Sequence, residues 1–105
     1  MRPHPHDPES PPSILVLEIG HVRLTTGDVF PVDGPPSRLS GKELGLLRAL
    51  AARPRETVDR SDLLTAVWGL PAHSLSRAVD DTMRRLRARI ERTPGKPQHL
   101  ITVHG

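Results

Sequence analysis

The residues best suited to chemistry in this sequence are arginines concentrated in one segment, residues 74–92. Six arginines stand there against Asp80, Asp81 and Glu91, and the resulting charge of +3 equals the formal net charge of the whole 105-residue chain. A segment that carries the entire positive surplus of a small protein is typical of a helix that contacts phosphate. The charge pattern leaves one alternative open, an ordinary surface helix whose arginines are only solvated.

The same segment has the period of an amphipathic helix. Five apolar residues share one face: Leu75, Val79, Met83, Leu86 and Ile90. Polar or small residues project from the opposite face or beside it: Arg77, Asp81, Arg84, Arg85 and Ala88. Ser74 or Ser76 is expected to cap the start of this helix, and Pro94-Gly95 is expected to end it.

Composition limits the class of protein. The length predicts one small domain, and because only Phe30 and Trp68 are aromatic, its core must be aliphatic. The chain has no Cys, which excludes disulfides, thiolate chemistry and Cys-ligated zinc. No apolar run approaches the roughly 20 residues that span a bilayer, and the first residues lack the apolar region of a signal peptide. We therefore expect a cytoplasmic protein with no membrane partner.

The first 13 residues differ in composition from the rest. Residues 1–13 contain five prolines and few apolar side chains, so we expect a disordered tail or linker ahead of a folded domain over residues 14–105. His4 and His6 lie in this tail without the rigid surroundings that a metal site needs. We predict neither a metal site nor a cofactor.

Strand patterns fill the first part of the folded domain. Apolar and alternating residues predict strands at 14–19, 20–24 and 29–32, separated by turns. These strands are expected to form a small antiparallel meander. Pro31 has no backbone N–H, which predicts an edge position for the third strand.

Two helices are expected ahead of the arginine-rich segment. Ser40 and Glu43 form a capping box that begins the first helix, and Pro54 ends it. Asp59 is expected to cap the second helix, and Gly69 follows its end. Each helix has an apolar face: Leu44, Leu47, Leu50 and Ala51 in the first, and Leu63, Leu64, Val67 and Trp68 in the second. A short strand at 100–103 is expected at the end of the chain.

This order of elements predicts an α+β fold and is the layout of a winged helix-turn-helix, in which the third helix enters the major groove and the wing touches the backbone or the minor groove. Five segments also carry a specific resemblance: LSGKELGLL at 39–47, VDRSDLLTAVWG at 58–69, SRAVD at 76–80, RRLR at 84–87 and ITVHG at 101–105. In this order and at this spacing they resemble the effector domain of the OmpR/PhoB family of bacterial transcriptional regulators. The resemblance runs from about residue 14 to residue 105.

The resemblance implies sequence-specific binding of double-stranded DNA, with residues 74–92 in the major groove. Recognition-helix positions that touch phosphates or bases in this family are matched by Arg77, Thr82, Arg84, Arg85 and Arg87, and wing positions by Thr102 and His104. Members of this family bind tandem direct repeats as homodimers, and the resemblance implies the same for this protein. The loop at 69–74 matches the loop that in some members contacts RNA polymerase.

Three features depart from the family pattern. Asp81 stands where relatives usually carry a small apolar or neutral residue; it could accept a hydrogen bond from cytosine N4, pair with Arg77 or Arg85, or repel phosphate. His104 stands where the family generally has arginine. A neutral imidazole at this position lacks the permanent positive charge that an arginine gives the wing. The sequence stops at Gly105, before the second wing strand, so we expect a truncated wing, and it contains no receiver domain.

Two other function classes, an enzyme and a protein-binding module, are the alternatives to DNA binding. An enzyme needs an acid, a base or a nucleophile in one constellation, but the candidate residues are scattered through turns and caps: Asp28, Asp33, Asp59, His73 and Ser74. No phosphate-binding loop, HExxH motif or carboxylate pair is present, so catalysis is not expected. The remaining alternative is a winged-helix module that binds protein rather than DNA, which would account for Asp81 and the truncated wing.

Overall fold

The computed structural model describes residues 13–74 and 76–100. Within them it contains four strands and three helices in this order: β1 Ile14–Leu17, β2 Gly20–Arg23, β3 Asp28–Pro31, β4 Ser37–Arg38, α1 Gly41–Ala51, α2 Arg60–Trp68 and α3 Ala78–Ile90. The predicted α+β fold, an antiparallel sheet followed by three helices, is confirmed. The predictions for residues 1–12, for Leu75 and for the strand and wing beyond Leu100 lie outside the described residues.

The sheet is an antiparallel meander in the order β1-β2-β3-β4. The prediction that Pro31 places β3 at an edge is wrong, because β4 pairs with β3 on its other side. β4 reaches only Asp28 and Val29, so Pro31 lies opposite Gly20 of β2 and has no β4 residue beside it. The missing N–H of Pro31 therefore leaves the ladder intact, and β4 is too short to have been predicted from its sequence.

Ser13, the last residue of the predicted tail, is hydrogen-bonded to the folded part of the chain. The carbonyl of Ser13 accepts a hydrogen bond from the Leu24 N–H at 2.8 Å, which joins Ser13 to the end of β2.

The core lies between one face of the sheet and the three helices. Leu15, Val22 and Val29 stand side by side in register on that face. The buried apolar residues come from every layer: Leu17, Val22, Leu24 and Val29 in or next to the sheet, Leu39, Leu46, Leu47, Leu63, Leu64, Val79, Leu86, Ile90 and Leu100. This aliphatic core agrees with the composition.

A local sequence signal sets the start of α1. The Ser40 hydroxyl accepts a hydrogen bond from the Glu43 N–H at 3.1 Å, and the Glu43 carboxylate accepts one from the Ser40 N–H at 2.9 Å. This reciprocal pair is the predicted capping box. Leu46 is fully buried although it lies outside the predicted apolar face, because α1 packs against both other helices.

The ends of α2 follow the prediction in position. Asp59 occupies the N-cap position, but its side chain makes no capping hydrogen bond within the described residues. Gly69 ends the helix with a left-handed φ of 69°, a conformation that glycine adopts without steric cost. At this end of α2 the Lys42 ammonium donates to the Val67 carbonyl at 3.0 Å and lies 5.7 Å above the Trp68 ring. None of the helices in the described part of the chain is long and apolar enough to span a membrane.

Candidate nucleic-acid interface

α3 is shorter than the sequence predicts. It begins at Ala78, with Arg77 at the N-cap, and the Ser76 hydroxyl accepts a hydrogen bond from the Ala78 N–H at 3.1 Å. Of the two serines expected to cap the helix, Ser76 therefore lies at its start. The helix ends at Ile90, before Pro94-Gly95, because the backbone of Glu91 turns to an extended conformation with ψ 138°.

One face of α3 is buried against the sheet and the other helices. It contains Val79, Thr82, Leu86 and Ile90, with Met83 half-buried beside them. Thr82 was expected to contact DNA, but it is only 5% exposed. It lies three residues after Val79 and four before Leu86, so helical geometry places it on the core face. Thr82 is therefore a core residue and is excluded from the candidate interface.

The opposite face of α3 carries exposed arginines. Arg77, Arg84 and Arg85 are all exposed. Arg84 donates a hydrogen bond to the Asp81 carboxylate at 2.7 Å, one helical turn away. The expectation that Asp81 pairs with Arg77 or Arg85 is therefore wrong, because the pair forms at a spacing of three residues rather than four. The side chains of Arg77 and Arg85 form no ion pair within residues 13–74 and 76–100.

A second ion pair joins α3 to the helix before it. Arg60, the first residue of α2, lies 3.1 Å from the Asp80 carboxylate, and both side chains are half-exposed or more. Arg60, Ser76, Arg77 and Asp80 line a shallow polar depression between the starts of the two helices. Sequence reasoning missed Arg60, although its place directly after the N-cap Asp59 put it at the start of a helix.

Two further arginines of α3 turn back toward the protein. Arg87 Nε donates to the Leu100 carbonyl at 2.9 Å, and Arg89 donates to the Arg38 carbonyl. Both side chains are half-buried. Arg87 was expected to touch DNA, and this contact ties part of its guanidinium to the segment that follows the helix. The outermost cations of α3 are therefore Arg77, Arg84 and Arg85.

The end of α3 carries a buried carboxylate. Glu91 is 5% exposed, and it accepts hydrogen bonds from the N–H groups of Gln98, His99 and Leu100. Burial works to raise the pKa of the Glu91 carboxyl, but the three backbone hydrogen bonds and the nearby His99 outweigh it. The pKa therefore lies below the ordinary value of 4.5. In the sequence, Glu91 is only one of the acidic residues of the segment 74–92. Its neighbours along the chain do not indicate that it accepts hydrogen bonds from residues 98–100.

Comparison with known proteins assigns this arrangement to a family. The family model described as "Transcriptional regulatory protein, C terminal" matches residues 34–105. The chain belongs to this OmpR/PhoB-type family. Its expected membership, inferred from five short segments, is confirmed.

The OmpR/PhoB-type domain has similar proteins in mycobacteria and their relatives. It is 37% identical over 91 residues to the sensory transduction protein RegX3 of Mycolicibacterium smegmatis, covering 86% of this chain and 40% of that protein. It is 36% identical over 100 residues to RegX3 of Mycobacterium tuberculosis, covering 94% of this chain and 44% of the relative. It is 40% identical over 91 residues to the DNA-binding response regulator MtrA of Mycolicibacterium smegmatis, covering 86% and 40%. The chain thus spans less than half the length of these relatives.

The remaining predicted contacts of this OmpR/PhoB-type domain are the wing positions and the loop between α2 and α3. Thr102 and His104, the wing positions, lie outside the described residues. The loop between α2 and α3 is exposed over residues 69–73, with Leu70 38% exposed. It is braced at its start, where the Thr65 hydroxyl donates to the Leu70 carbonyl at 2.8 Å.

Proposed function

We propose that this domain binds double-stranded DNA sequence-specifically, as the effector domain of a bacterial transcriptional regulator, with the exposed face of α3 in the major groove. One observation carries the proposal: Arg77, Arg84 and Arg85 project from α3 on the side opposite its buried residues. A helix of this kind fits the major groove, where an arginine can bind phosphate or the O6 and N7 atoms of guanine.

The ion pairs of α3 suggest different roles in DNA binding for these three arginines. Arg84 is held by Asp81, and an arginine with a fixed guanidinium plane is suited to reading a base edge. We propose that Asp81 orients Arg84, the arginine with which it pairs in place of Arg77 or Arg85. Arg77 and Arg85 have no acidic partner among the described residues, so their full charge is available to phosphates.

Further contacts outside α3 complete the proposal. Arg60, at the start of α2 beside Arg77, faces the same side as the N-terminal end of α3 and is placed to contact the phosphate backbone. Thr102 and His104 are proposed to touch DNA from the wing. As in relatives of this family, two copies would bind tandem direct repeats, and the exposed loop at 69–74 would contact RNA polymerase.

The first experiment is selection from a random duplex pool at moderate salt, followed by binding of the enriched operator measured by fluorescence anisotropy. Enrichment of a tandem repeat supports the proposal and supplies the operator. Retention without enrichment would contradict sequence specificity. No retention even at low salt would overturn DNA binding in favour of a protein-interaction module.

Arginine substitutions then test the groove assignment. Arg84→Ala is expected to relax preference at one base by about 1–3 kcal/mol, whereas Arg85→Ala should weaken all duplexes alike and reduce the salt slope by about one. Arg48→Ala is the matched control. Arg48 is an exposed arginine in the last turn of α1, so this substitution removes the same charge from another helix. Equal losses in all three variants would show that α3 is not the groove-binding element.

A further inference from the structure

The C-terminal end of α3 holds the next segment of the chain through a single carboxylate. Glu91 Oε1 lies 2.9 Å from the Gln98 nitrogen, and Oε2 lies 3.0 Å from the His99 nitrogen and 2.7 Å from the Leu100 nitrogen. Three consecutive backbone N–H groups thus converge on one buried anion. We call Glu91 and these three N–H groups the Glu91 cluster.

Other contacts tie the same segment to two parts of the fold. Arg87 of α3 donates to the Leu100 carbonyl at 2.9 Å, so both polar backbone groups of Leu100 are bound by residues of α3 or its C-cap. The Glu18 N–H, in the turn between β1 and β2, donates to His99 Nε2 at 3.1 Å. Leu100 itself is 6% exposed and belongs to the core. These contacts fix the backbone at residues 98–100, directly before residues 101–105 in the sequence.

We propose that Glu91 is a positioning residue for DNA binding: it fixes residues 98–100, which lead along the chain to the proposed wing contacts Thr102 and His104, against the end of α3. The proposal rests on the proposed function. The binding contribution of the wing then depends on Glu91, although Glu91 lies in the core and touches no DNA.

The chemistry of the Glu91 cluster requires a carboxylate. Its two oxygens accept from three N–H donors, which only a group with several lone pairs and no hydrogen can do. Glutamine would replace one oxygen with an NH2 group, which is a donor and, in either orientation of the amide, would face at least one of these N–H groups. The substitution Glu91→Gln therefore conserves volume, removes the negative charge and leaves at least one of the three N–H groups facing a donor. Glu91→Asp keeps the charge and withdraws it by one methylene.

A double-mutant cycle separates positioning from a role in stability alone. The full chain is used with the operator obtained by selection, at a temperature where circular dichroism shows every variant folded. Glu91→Gln is combined with the wing variant Thr102→Ala/His104→Ala and, in parallel, with Arg85→Ala on α3. If Glu91→Gln does not fold, Glu91→Asp takes its place in the same cycle.

The expected result is selective coupling. The wing variant weakens binding severalfold with Glu91 present and has almost no further effect with Glu91→Gln, whereas Arg85→Ala causes the same fold-loss in both backgrounds. Equal fold-losses for the wing variant in both backgrounds would overturn the proposal. The proposal would also be overturned if the wing variant left the affinity of the otherwise wild-type chain unchanged. In that case the wing would contribute nothing to DNA binding, and Glu91 could not act through it.

Amide hydrogen exchange tests the anchoring of residues 98–100 by Glu91 in the absence of DNA. The N–H groups of Gln98, His99 and Leu100 should exchange at least tenfold faster in Glu91→Gln, while the N–H groups in the middle of α3 keep their protection. Unchanged exchange at these three amides would contradict the anchoring itself. Failure of the wild-type chain to bind any duplex would count against the proposed function instead, so the two proposals fail separately.

Discussion

At the scale of single residues, formal charge overstates how many arginines of the 74–92 segment are available to a ligand. Their partners differ from one to the next: Arg84 binds Asp81, Arg92 binds Glu18, Arg87 and Arg89 bind backbone carbonyls, and Arg77 and Arg85 have no acidic partner among the described residues. An exposed ion pair contributes little stability, about 0–1 kcal/mol, so its main effect is to orient the arginine. Availability to DNA is thus set residue by residue.

Asp81 gives the sharpest test at this scale. Asp81→Asn is expected to raise affinity for random duplex and to lower the preference for the base read by Arg84 by about 1 kcal/mol, because the substitution removes a negative charge and frees the guanidinium. Anisotropy titrations with the operator and with scrambled duplex measure both effects. Asp62→Asn, which neutralises an exposed acid in the first turn of α2, is the control for charge alone. Weaker binding to both duplexes would indicate that Asp81 itself contacts DNA.

The depressed pKa of Glu91 predicts a pH dependence of stability. Because its folded pKa lies below the ordinary value of 4.5, the ionised carboxylate stabilises the fold above that value, and this contribution is lost as pH falls through the folded pKa. The free energy of unfolding of the wild type should therefore exceed that of Glu91→Gln near pH 7 and approach it in acid. Urea unfolding at a series of pH values measures the difference. A difference that stays constant from neutral to acid pH would contradict the prediction.

At the scale of elements, short-range signals account for where helices begin and where strands turn. The Ser40 capping box begins α1, and Gly69 ends α2, as their sequences predict. In the sheet, Gly20 occupies a backbone conformation that favours glycine, as Gly69 does at the end of α2. It has a φ of 149°, and a Cβ atom there would lie 2.1 Å from the Phe30 carbonyl oxygen. The close pairing of β2 with β3 therefore requires glycine at this position.

Gly20→Ala is accordingly expected to destabilise the domain severely. Backbone strain of this kind costs about 1–3 kcal/mol by itself, and the overlap with the Phe30 carbonyl adds to it because the neighbour is backbone that cannot rotate away. Gly41→Ala in the first turn of α1 is the matched control, since a Cβ there meets no atom within 4 Å. Urea unfolding should show a large loss for the first variant and little or none for the second. Equal stabilities would refute the strand geometry at Gly20.

At the scale of the whole molecule, the exposed cations are not distributed evenly. Arg77, Arg84 and Arg85 share the outer surface of α3, with Arg60 beside Arg77, while Arg92 is held beside Glu18 near the turn between β1 and β2. A duplex bound to α3 would release counterions in proportion to the phosphates that the first group neutralises. The position of an arginine in the fold, rather than its mere presence, should therefore decide its salt effect.

Salt dependence tests this distribution. Arg77→Ala should reduce the slope of log affinity against log salt by about one, because one phosphate contact is lost. Arg92→Ala, which removes the same charge from the far end of the segment and leaves Glu18 unpaired, should leave the slope nearly unchanged. Anisotropy measured over a range of salt concentrations gives both slopes. A larger change for Arg92→Ala would place the duplex on a different face of the domain.

Much of this protein follows from its sequence. The spacing of apolar residues, the capping box and the turn residues predict the meander, the helix order and the outward position of Arg77, Arg84 and Arg85, because these signals act between residues within about one helical turn or one hairpin. The same period places Thr82 on the buried face, whereas the family resemblance predicts that it contacts DNA. Thr82 is buried, as the period predicts.

The tertiary structure decided the rest. The short strand β4, the ion pair between Arg60 and Asp80, and the burial of Glu91 all depend on residues brought together from different elements. Asp81 has arginines three or four residues away along the helix, Arg77, Arg84 and Arg85, and only the structure shows that it pairs with Arg84. Glu91 reads along the chain as one more surface charge. Its role appears only when the backbone turns and brings the N–H groups of residues 98–100 onto its carboxylate, because a buried anion is stable only where the fold supplies enough donors.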